Sequence, residues 1–112
     1  MKYKIVLVPF PFDDLTATKV RPAVCLTDEI KPHSHIVLAF ITSQVLASAS
    51  PTDFVIDKSD ADFTTTGLKV SSTIRLHRLM TVTKSIVLRQ LGELSPAQQT
   101  EVENRLRKLF NL

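Results

Sequence analysis

Residues 4–27 read KIVLVPFPFDDLTATKVRPAVCLT, the pattern of a strand, a loop and a second strand in succession. Ile5-Val6-Leu7-Val8 is a short apolar run rich in β-branched residues and closed by Pro9, the pattern of a buried strand stopped by a missing backbone donor. Phe10 to Lys19 reads as a loop: prolines flank its aromatics, and Asp13, Asp14 and Thr16 supply turn chemistry. Val20 to Thr27 is a second strand, with Pro22 near its start, where proline is tolerated.

Strand patterns continue outward from this block. Ile36 to Ile41 is the most hydrophobic run, apolar on both faces, and is expected at the centre of a sheet. Thr52 to Ile56 makes a short fourth strand. Asp57 to Gly67 turns polar and reads as a surface loop with one helical turn. Thr73 to His77 alternates: Ile74 and Leu76 point one way, Thr73, Arg75 and His77 the other. Strand character resumes at Met80 to Val82 and at Arg89 to Leu94.

The period then changes. Ser95-Pro96-Ala97-Gln98 has the form of a capping box, with a hydroxyl at N-cap, proline at N1 and glutamine at N3. Val102, Leu106, Leu109 and Phe110 follow as one apolar helical stripe. Glu101 and Glu103 lie upstream, and Arg105, Arg107 and Lys108 complement the macrodipole near the C-terminal end. The segments between strands are too short for repeated helical crossovers. The expected fold is mainly β (α+β): a small curled antiparallel sheet or barrel capped by the C-terminal helix. It forms a single domain over 1–112, with strands within 3–94 and the helix at about 96–110.

Composition agrees with an ordinary folded domain. The chain has 112 residues, 44% hydrophobic and 22% charged, which excludes a disordered chain and leaves no room for two independent cores. The lone Cys25 cannot form a disulfide within the chain and fits a reducing compartment. Gly67 and Gly92 are too far apart for a glycine-rich phosphate loop. The first apolar run is too short for a signal peptide, and no stretch approaches the roughly 20 apolar residues of a membrane span. The expectation is a cytoplasmic protein with no membrane partner.

Charge is unevenly spread. Lys69, Arg75, Arg78, Lys84 and Arg89 carry +5 between Lys69 and Gly92 with no acid, whereas the whole chain carries +3. Such a single-sign run can attract phosphates, or can scatter over a solvated surface once folded. Arg75 and His77, at i and i+2 of one strand, share a face about 7 Å apart. A guanidinium that holds phosphate and an imidazole that moves protons suit phosphodiester chemistry, and equally a polar outer face. Arg21 is set in extended backbone by Pro22 after it. Thr42 and Ser43 end the most apolar strand. His33 and His35 lack further ligands for a metal, so no metal or cofactor is expected. Cys25 reads as a small buried hydrophobe.

Ile5-Val6-Leu7-Val8-Pro9-Phe10-Pro11-Phe12, then Asp14-Leu15 and Lys19-Val20-Arg21-Pro22-Ala23-Val24, resemble the MazF/PemK toxins of type II toxin–antitoxin systems. The likeness continues through Ile41-Thr42-Ser43, Gly67-Leu68-Lys69, Ser72-Thr73-Ile74-Arg75-Leu76, Thr83-Lys84 and Leu91-Gly92-Glu93-Leu94-Ser95. It implies an SH3-like β-barrel acting as a homodimer, restrained by a cognate antitoxin. It also implies a metal-independent endoribonuclease that cuts single-stranded RNA, often mRNA. There a ribose 2′-hydroxyl attacks the adjacent phosphate, leaving a 2′,3′-cyclic phosphate and a 5′-hydroxyl. Carried onto this sequence, Arg21 stabilises the phosphorane and could also protonate the leaving oxygen, and Thr42 orients the phosphate; His77 could serve as the general base, its role as proton acceptor, donor or bystander staying open. Lys19, Ser43, Ser72, Thr73, Arg75 and Arg78 contact RNA.

Three departures stand out. The Arg-x-Asp of PemK-like members falls on Arg75-Leu76-His77, so histidine replaces the acid. The Gly-Asp that opens the first strand is Tyr3-Lys4. A loop that often carries glycine has Ala17. Two other readings stay open: a catalytically degenerate barrel that binds RNA or a partner protein without cleavage, and a dimeric interaction module with no RNA binding.

Overall fold

The computed structural model of the chain describes residues 1–10, 19–45 and 50–112. Among the described residues six strands precede one helix: β1 (Lys4–Phe10), β2 (Lys19–Cys25), β3 (His35–Thr42), β4 (Asp53–Ile56), β5 (Ser72–Thr83), β6 (Arg89–Glu93) and α1 (Pro96–Phe110). All neighbouring strands are antiparallel, in the order β4-β5-β3-β2-β1-β6, curled into a half-barrel. β3 lies inside the sheet between β2 and β5, as its two apolar faces require. A 3-10 turn at Thr64–Thr66 supplies the helical turn expected in the polar segment, and a second spans Lys84–Ile86.

Pro9 does not stop β1, which runs on to Phe10 with Pro9 opposite Val20. The Leu7 carbonyl accepts from Leu88 N (2.9 Å) on the β6 side. Pro9, two residues on, faces the same way, beyond the last pairing of β6 at Leu7. Its missing N–H therefore breaks no ladder bond. Of the expected loop from Phe10 to Lys19, residues 11–18, including Ala17, lie outside the described residues; its two ends are paired strand residues.

The expected strands at Thr73–His77 and Met80–Val82 are one strand of 12 residues. Ala39 pairs with Leu79 but Phe40 pairs with Arg75, so Leu76, His77 and Arg78 are taken up within a single step of β3. That irregularity breaks the alternation and hides the continuity of the strand.

Each sheet face carries its own core. On one, Ile5, Val24, Ala39, Ile41, Ile74 and Leu76 pack with Phe63, Leu94 and Val102 of the covering segments. On the other, Val6, Val8, Ala23, Cys25, Ile36 and Leu38 pack with Phe40, Val82, Ile86 and Val87. Each fully buried aliphatic side chain contributes roughly 1.5–3 kcal/mol. Burial pushes the Cys25 thiol up to about 11.

The capping box of α1 is present: Gln98 N donates to Ser95 Oγ (3.2 Å) and Ser95 N donates to Gln98 Oε1 (2.9 Å). Val102 is fully buried and Leu106 packs on the core, whereas Phe110 of the same stripe is 55% exposed. Arg105 does more than complement the helix end. Its Nη1 donates to the carbonyls of Asp53 (2.6 Å) and Pro51 (3.0 Å), and its Nε donates to Glu101 (2.6 Å). The helix thereby grips the start of β4. Among the described residues no helix is long and apolar enough to cross a membrane.

Candidate active site

Proline chemistry opens the sheet where the candidate residues stand. Residues of β2 face β1 and β3 alternately: the Cys25 carbonyl accepts from Tyr3 N, and Leu26 N donates to Val37 O. Pro22 therefore faces β3 and has no hydrogen to donate. The β2–β3 ladder accordingly ends at Ala23, opposite Phe40. Continuing that register two residues past the ladder brings Arg21 level with Thr42. Thr42 in turn pairs with Thr73, and Arg75 with Phe40 on one side and Asp53 on the other.

The side chains of this region share a face. Ala23, Cys25, Leu38 and Phe40 line the core on that side. By alternation Arg21 extends it on β2, Thr42 on β3, and Thr73 and Arg75 on β5. At a strand spacing of about 4.8 Å, Arg21 and Thr73 stand two steps apart, roughly 10 Å. Arg21 is exposed and Thr42 half-buried, its Oγ1 accepting from Gln44 N (3.3 Å).

Asp53, at the start of β4, ties this edge together. Its side chain is 1% exposed, and its Oδ1 accepts from Arg75 Nε (3.3 Å) and stands 3.8 Å from His77 Nδ1. The other oxygen accepts from Ser50 N (3.0 Å). Burial alone pushes its carboxyl up. The Ser50 N–H and the Arg75 guanidinium outweigh it and hold the group below the usual carboxylate range. His77 Nδ1 also lies 3.3 Å from Thr52 Oγ1, itself 3.0 Å from Ser50 Oγ. With 38% of its side chain exposed, His77 stays partly open to solvent.

By register and alternation Arg21, Thr42, Thr73 and Arg75 lie on one face of the sheet, while Arg75 and His77 meet Asp53 on its β4 side. Lys19 and Ser43, both exposed, flank them on β2 and just past β3. Arg78 is exposed within the irregular step of β5. Ser72 and Thr73 are buried, their hydroxyls donating to Val70 O (2.8 Å) and Gln44 O (2.8 Å). Ser72 pairs with Ile56, a residue of the opposite core, so its side chain stands apart from the group. Among the described residues no three His, Cys, Asp or Glu side chains gather as a metal site. His33 and His35 stack on each other with ring centroids 5.4 Å apart.

A family model described as PemK-like, MazF-like toxin of type II toxin–antitoxin system matches residues 1–110. The chain belongs to this family. Solved structures of MazF-type toxins share its fold. A Mycobacterium tuberculosis toxin, MazF-mt6, superposes with a TM-score of 0.74 at 23% identity, covering 97% of each chain. A mycobacterial endoribonuclease in complex with its cognate antitoxin gives 0.75 at 15% identity, covering 100% of this chain and 95% of the other. A MazE–MazF complex from Deinococcus radiodurans gives 0.72 at 18%, covering 98% and 94%. At these identities the likeness is one of fold. No curated protein sequence matches significantly.

Against the PemK-like pattern, the acid missing at position 77 has a counterpart in space: Asp53 reaches Arg75 and His77 from the neighbouring strand. Asp53 is not legible along the sequence, because its partners Arg75 and His77 lie on another strand. The available signal was alternation within β4, where Asp53 and Val55 oppose Phe54 and the buried Ile56.

Proposed function

We propose that this MazF/PemK-family chain is the toxin of a type II toxin–antitoxin pair and acts on single-stranded RNA as a metal-independent endoribonuclease. What supports the reading is the placing by register of Thr42 and Arg75 on one sheet face, with Arg21 on the same face by alternation where Pro22 parts β2 from β3, and His77 beside Asp53 on the same strand as Arg75. The 2′-hydroxyl loses its proton to His77 as its oxygen attacks the adjacent phosphorus. Arg21 neutralises the phosphorane oxygens, Arg75 adds positive charge from two strands away on the same face, and Thr42 orients the phosphate. The P–O5′ bond breaks, leaving a 2′,3′-cyclic phosphate, and the departing oxygen takes a proton from Arg21 to give a 5′-hydroxyl. Two guanidiniums supply the positive charge that a metal ion supplies in other nucleases.

The same face would receive an antitoxin segment that is acidic and partly apolar, blocking RNA by occupancy. A homodimer and a cytoplasmic setting complete the proposal.

The test is end-group analysis of single-stranded RNA incubated with the protein in EDTA. The expected products carry 2′,3′-cyclic phosphate and 5′-hydroxyl ends, and RNA with a 2′-deoxy sugar at the scissile position stays whole. Products with 5′-phosphates, or cutting that requires added divalent metal, overturn the reading. Intact RNA with salt-sensitive binding would instead support a noncatalytic barrel.

A further inference from the structure

The Asp53–His77 contact admits a sharper conclusion, one that rests on the reading of His77 as base. A neutral imidazole carries its proton on one nitrogen only, and its neighbours select which. His77 Nδ1 faces inward, 3.3 Å from Thr52 Oγ1 and 3.8 Å from Asp53 Oδ1. A lone pair on Nδ1 would face that carboxylate, which is repulsive, whereas an N–H there is attracted to it and donates to Thr52 Oγ1. The hydroxyl of Thr52 then donates onward to Ser50 Oγ, 3.0 Å away.

We propose that Asp53 is a positioning residue: its buried carboxylate holds His77 in the Nδ1–H form, so that Nε2 presents its lone pair outward to take the 2′-hydroxyl proton. Asp53 is itself fixed from three directions, two on its carboxylate and one on its backbone. Ser50 N and Arg75 Nε bind its oxygens, and Arg105 of α1 anchors its backbone carbonyl. An oriented carboxylate behind an imidazole is a general device for setting the base tautomer.

Long-range proton–nitrogen NMR of the full-length protein at alkaline pH reads the tautomer directly, with His77→Gln assigning the signal apart from His33 and His35. The expected wild-type signature is a protonated Nδ1 and an unprotonated Nε2. Asp53→Asn should mix or invert the two signals and slow single-turnover cleavage by roughly 10²-fold, the low end of what a positioned acid–base group contributes. Thr52→Val leaves the carboxylate in place and should keep the wild-type signature, which covers the case in which Asp53→Asn does not fold. A wild-type Nε2–H form, a signature unmoved by folded Asp53→Asn, or one inverted by Thr52→Val overturns the proposal. The tautomer can be read whether or not RNA is cut, so failure of cleavage by the wild type sinks the nuclease reading separately.

Discussion

Arg21 and Asp53 use charge in opposite ways. Arg21 is exposed, with its backbone set by Pro22, so in the proposed mechanism its removal costs transition-state charge and little structure. Asp53 is buried, and its cost falls on stability as well. Because its folded carboxyl sits below the unfolded value of 3.8, its contribution to stability is complete above that value and fades as pH falls through the lower folded one. Acid titration of urea unfolding should therefore show the wild type losing stability below about pH 4, with a shallower loss in Asp53→Asn; equal slopes would contradict the pairing. Cys25, wholly buried with its thiol pushed up to about 11, should resist thiol reagents until the protein unfolds. Labelling at the native rate of a free thiol would contradict its placement. Arg21 was legible because Pro22 follows it, whereas Asp53 was not: its link to Arg75 depends on a register 22 residues away in the chain.

Local signals told most about α1 and least about β5. The Ser95 cap, the proline at N1 and the glutamine at N3 act within one turn, so four consecutive residues describe them. Ser95 also donates to Asp62 (2.8 Å), joining the helix start to the polar loop. Ser95→Ala should cost about 1 kcal/mol in denaturant unfolding; a change below a few tenths would show that water replaces the cap. β5 is opaque for the opposite reason: its irregular step is imposed by β3, a separate segment, and alternation fails where the register shifts. Gly92 makes a related point. A Cβ there would lie 2.3 Å from Thr65 O, so Gly92→Ala should separate β6 from the Thr64–Thr66 turn and lower the melting temperature.

At the scale of the molecule, the +3 net charge understates the face that matters. Lys19, Arg21, Arg75 and Arg78 lie on or beside it, with Asp53 neutralised by Arg75 beneath the surface. If these four cations meet phosphates, log affinity for single-stranded RNA should fall against log salt with a slope of about −3. Arg78→Ala should reduce that slope by about 0.7 without moving the cleavage position; a salt-independent affinity would place RNA elsewhere. The curled sheet with a terminal helix followed from strand lengths, short connections and the change of period after Leu94. The pairing order did not, because it is set by contacts between distant strands.

Single-turnover cleavage of single-stranded RNA in EDTA, comparing the wild type with Arg21→Ala, tests the central claim most directly. The wild type should give cyclic-phosphate products, and the substitution should cost at least about 10²- to 10³-fold, the size expected when a charge-stabilising donor is removed, with an unchanged melting temperature. Cleavage that persists at the wild-type rate in a folded Arg21→Ala protein would contradict it.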